Sequence, residues 1–145
     1  MSVYKLTGGC HCGNIHVEME IPLAPPTYNP RVCDCDFCRK HGAAYISDPQ
    51  GSVRIHVKDS HQFGRYLQGS GIAECLICRN CGVLVGVVYE DGGRVYAGIN
   101  SKVIDGNPGF AEEVPVSPKA LSDDQKIERW KDIWFADVSI DGDNS

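Results

Sequence analysis

Short apolar runs with strict alternation recur along the chain. In residues 14–20, Ile15, Val17 and Met19 fall on one face, and in residues 52–58 Val53, Ile55 and Val57 do the same. A period of two puts every second side chain on one side of a strand, so both segments predict half-buried strands. Residues 83–90 and 94–100 flank Asp91-Gly92-Gly93, a hairpin signal because glycine tolerates positive φ. Residues 3–6, 43–47, 64–67 and 72–77 predict further short strands. Residues 21–30 carry four prolines and can be neither a central strand nor a helix. One helix is expected near the end, where Ser122-Asp-Asp-Gln125 has the spacing of a capping box. Ile127, Trp130 and Trp134 follow at helical intervals, the last at or beyond the helix end, and read as a face that docks on a sheet.

The fold class expected is therefore mostly β. At 145 residues without an internal repeat or a dividing linker, the chain reads as one domain over residues 1–136, followed by a flexible tail at residues 137–145. Fourteen basic residues against nineteen acidic ones give a net charge of −5, which argues against nucleic acid as a partner. The longest apolar stretch, residues 83–89, is interrupted by Gly86 and far too short to cross a membrane. The opening residues lack the apolar segment of a signal peptide, so a cytoplasmic protein is expected.

Eight cysteines change the picture. In a reducing compartment disulfides are rare and cysteine clusters point to metal. The thiols fall in three groups: Cys10-His11-Cys12, Cys33-Asp34-Cys35-Asp36-Phe37-Cys38, and Cys75-Leu76-Ile77-Cys78-Arg79-Asn80-Cys81-Gly82. Residues i and i+2 of extended backbone project from one face, so a Cys-X-Cys pair can aim two sulfurs at one ion. Cys78-X-X-Cys81-Gly82 resembles a zinc knuckle, and joined with Cys10 and Cys12 it would make a closed, structural four-sulfur site. Cys33, Cys35 and Cys38 can wrap one metal from a single segment and leave a position open, the pattern of catalytic zinc. Spacing alone leaves open which cysteines share a site, and an iron–sulfur cluster is the alternative to zinc.

Together, Gly9-Cys10-His11-Cys12-Gly13, Cys33-X-Cys35-X-X-Cys38-Arg39-Lys40-X-Gly42 and Cys78-X-X-Cys81-Gly82 resemble the glutathione-dependent formaldehyde-activating enzyme and centromere protein V family. The resemblance spans about residues 7–100. It implies an Mss4-like fold of antiparallel sheets organised around zinc, with a short C-terminal helix here. It also implies two zinc ions per chain: a structural one on Cys10, Cys12, Cys78 and Cys81, and a catalytic one on Cys33, Cys35 and Cys38. The activity implied is that of a carbon–sulfur lyase or synthase, joining a small-molecule thiol such as glutathione to a small aldehyde such as formaldehyde. The alternatives are a non-catalytic module that binds a thiol or metabolite, and a structural zinc protein with a protein partner.

Several neighbours of the ligands have a plain and a functional reading. Cys75 is expected as a packed strand residue rather than a ligand. His11 is expected to point away from the metal, and His41 could reach the open site as a proton carrier. Asp34 and Asp36 flank the ligands and could orient a group there or simply face water. Arg39 and Lys40 could balance the −1 charge of three thiolates on a divalent ion and hold a substrate carboxylate.

Overall fold

The computed structural model describes residues 3–67 and 71–142. Among them, eleven strands form two sheets, with two α-helices. The smaller sheet runs β1 (Tyr4–Gly9), β2 (Ile15–Ile21), β5 (Ser52–Val57), β11 (Asp137–Asp141). The larger runs β10 (Val114–Val116), β3 (Arg31–Cys33), β4 (Tyr45–Ile46), β9 (Arg94–Asn100), β8 (Leu84–Asp91), β7 (Glu74–Cys78), β6 (Phe63–Leu67). The mostly β class expected from the alternation is the class found. No helix among the described residues is long and apolar enough to cross a membrane.

The alternating segments do what their pattern requires. Ile15, Val17, Met19 and Ile21 of β2 and Val53, Ile55 and Val57 of β5 are all buried, in register across an antiparallel pair. They face Leu76, Val85 and Ile99 of the larger sheet, forming the main core. The β8–β9 hairpin closes at Asp91↔Arg94 with Gly92 at φ 59° and Gly93 at φ 83°. Two consecutive positive φ values are the signature of a type I′ turn, which side chains other than glycine, asparagine and aspartate adopt poorly.

Four features depart from expectation. Residues 36–41 form a first helix, α1 (Asp36–His41), which is too short to show periodicity. β3 and β10 are three-residue strands that find each other in parallel; Pro115, lacking an N–H, sits on the outer edge, where no donor is needed. The sheets are accordingly not wholly antiparallel. The flexible tail expected at residues 137–145 is instead, over Asp137–Asp141, the edge strand β11, parallel to β5. The reason lies just upstream. Phe135 is completely buried and exchanges backbone hydrogen bonds with Ala97 of β9 at 2.9 and 3.0 Å, delivering the chain to the free side of β5. Residues 143–145 lie outside the described residues.

α2 (Asp123–Ile133) begins as its sequence predicts. Ser122 Oγ accepts from the Gln125 N–H at 3.2 Å while Gln125 Oε1 accepts from the Ser122 N–H at 2.9 Å. Trp130 and Trp134 stack at 4.9 Å, and Trp130 also packs on Tyr89 of β8 at 5.4 Å. Replacing Ser122 with Ala should cost about 1 kcal/mol, lowering the melting temperature by about 2–4 °C. Thermal denaturation followed by circular dichroism checks this; an unchanged midpoint would show that the box contributes nothing.

Candidate metal centres

The first cysteine group arises from two hairpin turns, one from each sheet. Cys10 and Cys12 lie in the turn between β1 and β2, while Cys78 ends β7 and Cys81 lies in the turn that follows it toward β8. That second turn is closed by the Gly82 N–H donating to the Cys78 carbonyl at 2.8 Å, with Gly82 at φ 82°. The four sulfurs all lie within 4.8 Å of one another. Cys10 Sγ stands 3.7 Å from Cys12 Sγ, which stands 3.5 Å from Cys78 Sγ. Thiolates held tetrahedrally at about 2.3 Å from an ion are about 3.8 Å apart, so the spacing fits one ion among four sulfurs. Asn80 and the Asn14 backbone bond to Cys12 and bring its thiol down to about 6, while burial pushes Cys78 up to about 12. Cys12 is thus prepared to give up its proton, as a metal ligand must.

The second group grows from the end of β3 into α1. Cys33 closes the strand, Cys35 is the N-cap of α1 with its sulfur accepting the Cys38 N–H at 3.4 Å, and Cys38 sits in the first turn. Their sulfurs also lie within 4.8 Å of one another. The Cys38 thiol leans on Cys33, holding Cys33 down to about 6 and driving Cys38 upward, with burial adding to the latter. Tyr45 Oη stands 3.2 Å from Cys38 Sγ; burial, and then the nearby cysteines, hold its phenol well above the usual range. All-sulfur donor sets favour soft or borderline ions over magnesium or calcium.

β7 separates the two groups. Its alternation turns Leu76 and Cys78 toward the main core and Cys75 and Ile77 toward a smaller cluster with Cys38, Tyr45 and Leu84. Cys75 and Cys78, three residues apart, therefore face opposite sides and cannot serve one ion. Cys75 is a packed strand residue, as expected, and burial pushes its thiol up to about 12.

A cavity of about 150 Å³, partly open to solvent, lies over the second group. Its floor includes the three sulfurs, Tyr45 and Cys75, and its far wall includes Trp130 and Trp134. The tryptophans thus both dock α2 and line the cavity, a second role that the docking reading did not include. Four cations line it as well: Arg31, Lys119, Lys126 and Arg129. Arg31 is fixed by donating to Ser47 Oγ at 2.6 Å, and Ser47 donates in turn to the Ile133 carbonyl at 2.6 Å. Burial, with Arg129 alongside, lowers Arg31 to about 10.

These are not the cations or proton carriers picked out by proximity in sequence. Arg39, Lys40 and His41 sit on the exposed side of α1, with His41 against Phe37 at 4.6 Å, and none lines the cavity. Asp36 is exposed at the start of α1, and His11 is exposed in its turn. Asp34 Oδ1 is buried without a hydrogen-bond partner, while Oδ2 lies 3.9 Å from Lys119 Nζ; Asp34 does not line the cavity either. The four cations were missed because they come from β3, the segment after β10, and α2. Only the stripe Lys126, Arg129, Trp130 at helical spacing signals part of that wall.

A two-sheet β fold carries two separate all-cysteine sets, each able to hold a metal ion, and one of them opens onto a cavity. The family model described as glutathione-dependent formaldehyde-activating enzyme matches residues 5–119, and the chain belongs to that family. It is also similar to a crystal structure of a Rhodobacter sphaeroides protein, at 26% identity and a TM-score of 0.56, with 74% of this chain and 99% of that one covered. The resemblance carried by the three cysteine groups is borne out.

Proposed function

We propose that the chain is a zinc-dependent carbon–sulfur lyase or synthase of the S-(hydroxymethyl)glutathione synthase type. Cys10, Cys12, Cys78 and Cys81 would hold a structural zinc, and Cys33, Cys35 and Cys38 a catalytic one. The observation that carries this reading is the contrast between the two groups. One offers four converging sulfurs, the other three that face a cavity. Three protein donors leave a tetrahedral ion one position for an exogenous ligand. Bound there, zinc would favour the thiolate form of a substrate thiol at neutral pH.

The remaining work falls to the chain's own residues. The cavity holds thiol and aldehyde side by side, which replaces a bimolecular encounter with a local one. Trp130 and Trp134 shield the reacting groups from water on the α2 side. With Cys38 as a thiolate, Tyr45 Oη is the donor in their contact and fixes that sulfur's direction. In the synthase direction the thiol sulfur bonds to the aldehyde carbon, and the carbonyl oxygen becomes a hydroxyl, taking up the proton that the thiol gives up. The lyase direction reverses each change.

Protein purified under reducing conditions without chelator should carry two zinc ions per chain by elemental analysis. It should also form S-hydroxymethyl adduct from glutathione and formaldehyde faster than the uncatalysed reaction. A stoichiometry of one or none overturns the two-site assignment. Saturable thiol binding without turnover would make the protein a binding module.

A further inference from the structure

Thiol–aldehyde addition by itself asks for no cations, yet Arg31, Lys119, Lys126 and Arg129 line the cavity over the second cysteine group, and no carboxylate lines it among the described residues. Lys119 leans toward Asp34 at 3.9 Å. Among the described residues Arg31, Lys126 and Arg129 have no carboxylate within ion-pair distance. Neutralising the sulfurs does not use them up. Three thiolates around one divalent ion carry −1, so one of the three cations offsets it and about two positive charges remain. Partly buried like charges side by side are unfavourable unless an anion joins them.

We infer that this cavity is an anion-selective thiol pocket, in which Arg129 and Lys126 of α2, with Arg31 of β3, receive the carboxylates of the thiol substrate. Arg31 is pinned by Ser47, so its guanidinium is positioned before any ligand arrives. Arg129 lies one residue before Trp130, so α2 presents the charge and the aromatic wall together. Guanidinium groups suit this task because their paired N–H donors match the two oxygens of a carboxylate. The receptor is largely a property of this chain's last third. α2 lies beyond residues 5–119, the segment matched to the family.

The inference rests on the proposed thiol chemistry at the second group, but its test separates the two. Trp130 and Trp134 are the only tryptophans and both line the cavity, so intrinsic fluorescence reports binding without turnover. The metal-loaded protein is titrated with glutathione, with S-methylglutathione, which keeps both carboxylates but has no free thiol, and with glutathione diethyl ester, which keeps the thiol but has no carboxylate. Glutathione should bind roughly tenfold or more tightly than its diester, and S-methylglutathione should still bind. Arg129→Gln should weaken both carboxylate ligands by about tenfold and reduce the acid-to-ester preference to within about twofold, with metal content and circular dichroism unchanged. Lys126→Gln should move the preference in the same direction and serves if Arg129→Gln does not fold.

Equal affinity for acid and ester in the wild type, no response to any of the three probes, or an undiminished preference in the folded variants would each overturn the inference. Carboxylate preference without adduct formation would keep the pocket and reject the lyase reading. Adduct formation without the preference would do the reverse.

Discussion

Cys78→Ser is expected to leave a protein that holds one metal and melts more than about 10 °C below the wild type, or does not fold at all. The sulfur removed is completely buried and stands 3.5 Å from Cys12 Sγ, so the substitution breaks the link between the β1–β2 and β7–β8 turns. In small zinc-finger peptides, metal binding supplies about 10–16 kcal/mol, nearly all of it folding energy. This chain keeps a core between its sheets, so the loss should be smaller, more than about 5 kcal/mol, still comparable to the whole stability of an ordinary domain. At about 2–4 °C per kcal/mol for this size, that gives the shift stated. Cys81→Ser, at a less buried sulfur of the same group, should follow it. A melting temperature equal to wild type for both would mean that the four sulfurs do not clamp the sheets together.

Cys35→Ser should fail differently. Its sulfur belongs to both spacings of the second group and accepts the Cys38 N–H that starts α1. Removing it leaves Cys33 and Cys38, and two protein ligands do not hold zinc firmly in an open site. The serine oxygen can still cap α1, since serine is a favoured N-cap residue. The fold should therefore survive, with one zinc retained, one lost, and adduct formation reduced to the uncatalysed rate. Measuring that rate for wild type and variant with several small thiols decides the matter. Equal rates with every thiol would remove the enzymatic reading.

The parts of the molecule that could be read from the chain are those whose causes are local. β2 and β5 announce themselves because four and three apolar residues alternate with polar ones over a full strand. The Ser122–Gln125 box marks the start of α2 because both partners lie within one turn. The cysteine groups are legible because metal binding demands a residue type rare elsewhere. What stayed hidden is what tertiary structure assembles. β3 and β10 are three residues each, and their strand character exists only in their pairing. β11 depends on Phe135 being captured by Ala97, a contact that no periodicity encodes. The cavity's cations are spread from residue 31 to residue 129, whereas Arg39 and Lys40, adjacent to the ligands, turn outward on α1.

The position of α2 in the chain has a consequence for how such a protein can change. Every cysteine in the two clusters lies at or before residue 81, whereas Lys126, Arg129, Trp130 and Trp134 all come after residue 120. On the proposed reading, the reaction and most of the substrate recognition, Arg31 of β3 excepted, are thus written in separate stretches of polypeptide. Exchanging residues 122–134 for a helix bearing other side chains would redesign what enters the cavity while sparing the sulfurs that act on it, provided that Phe135 stays to fasten the new wall to β9. Two chains alike through residue 119 could then share one chemistry and feed on different thiols.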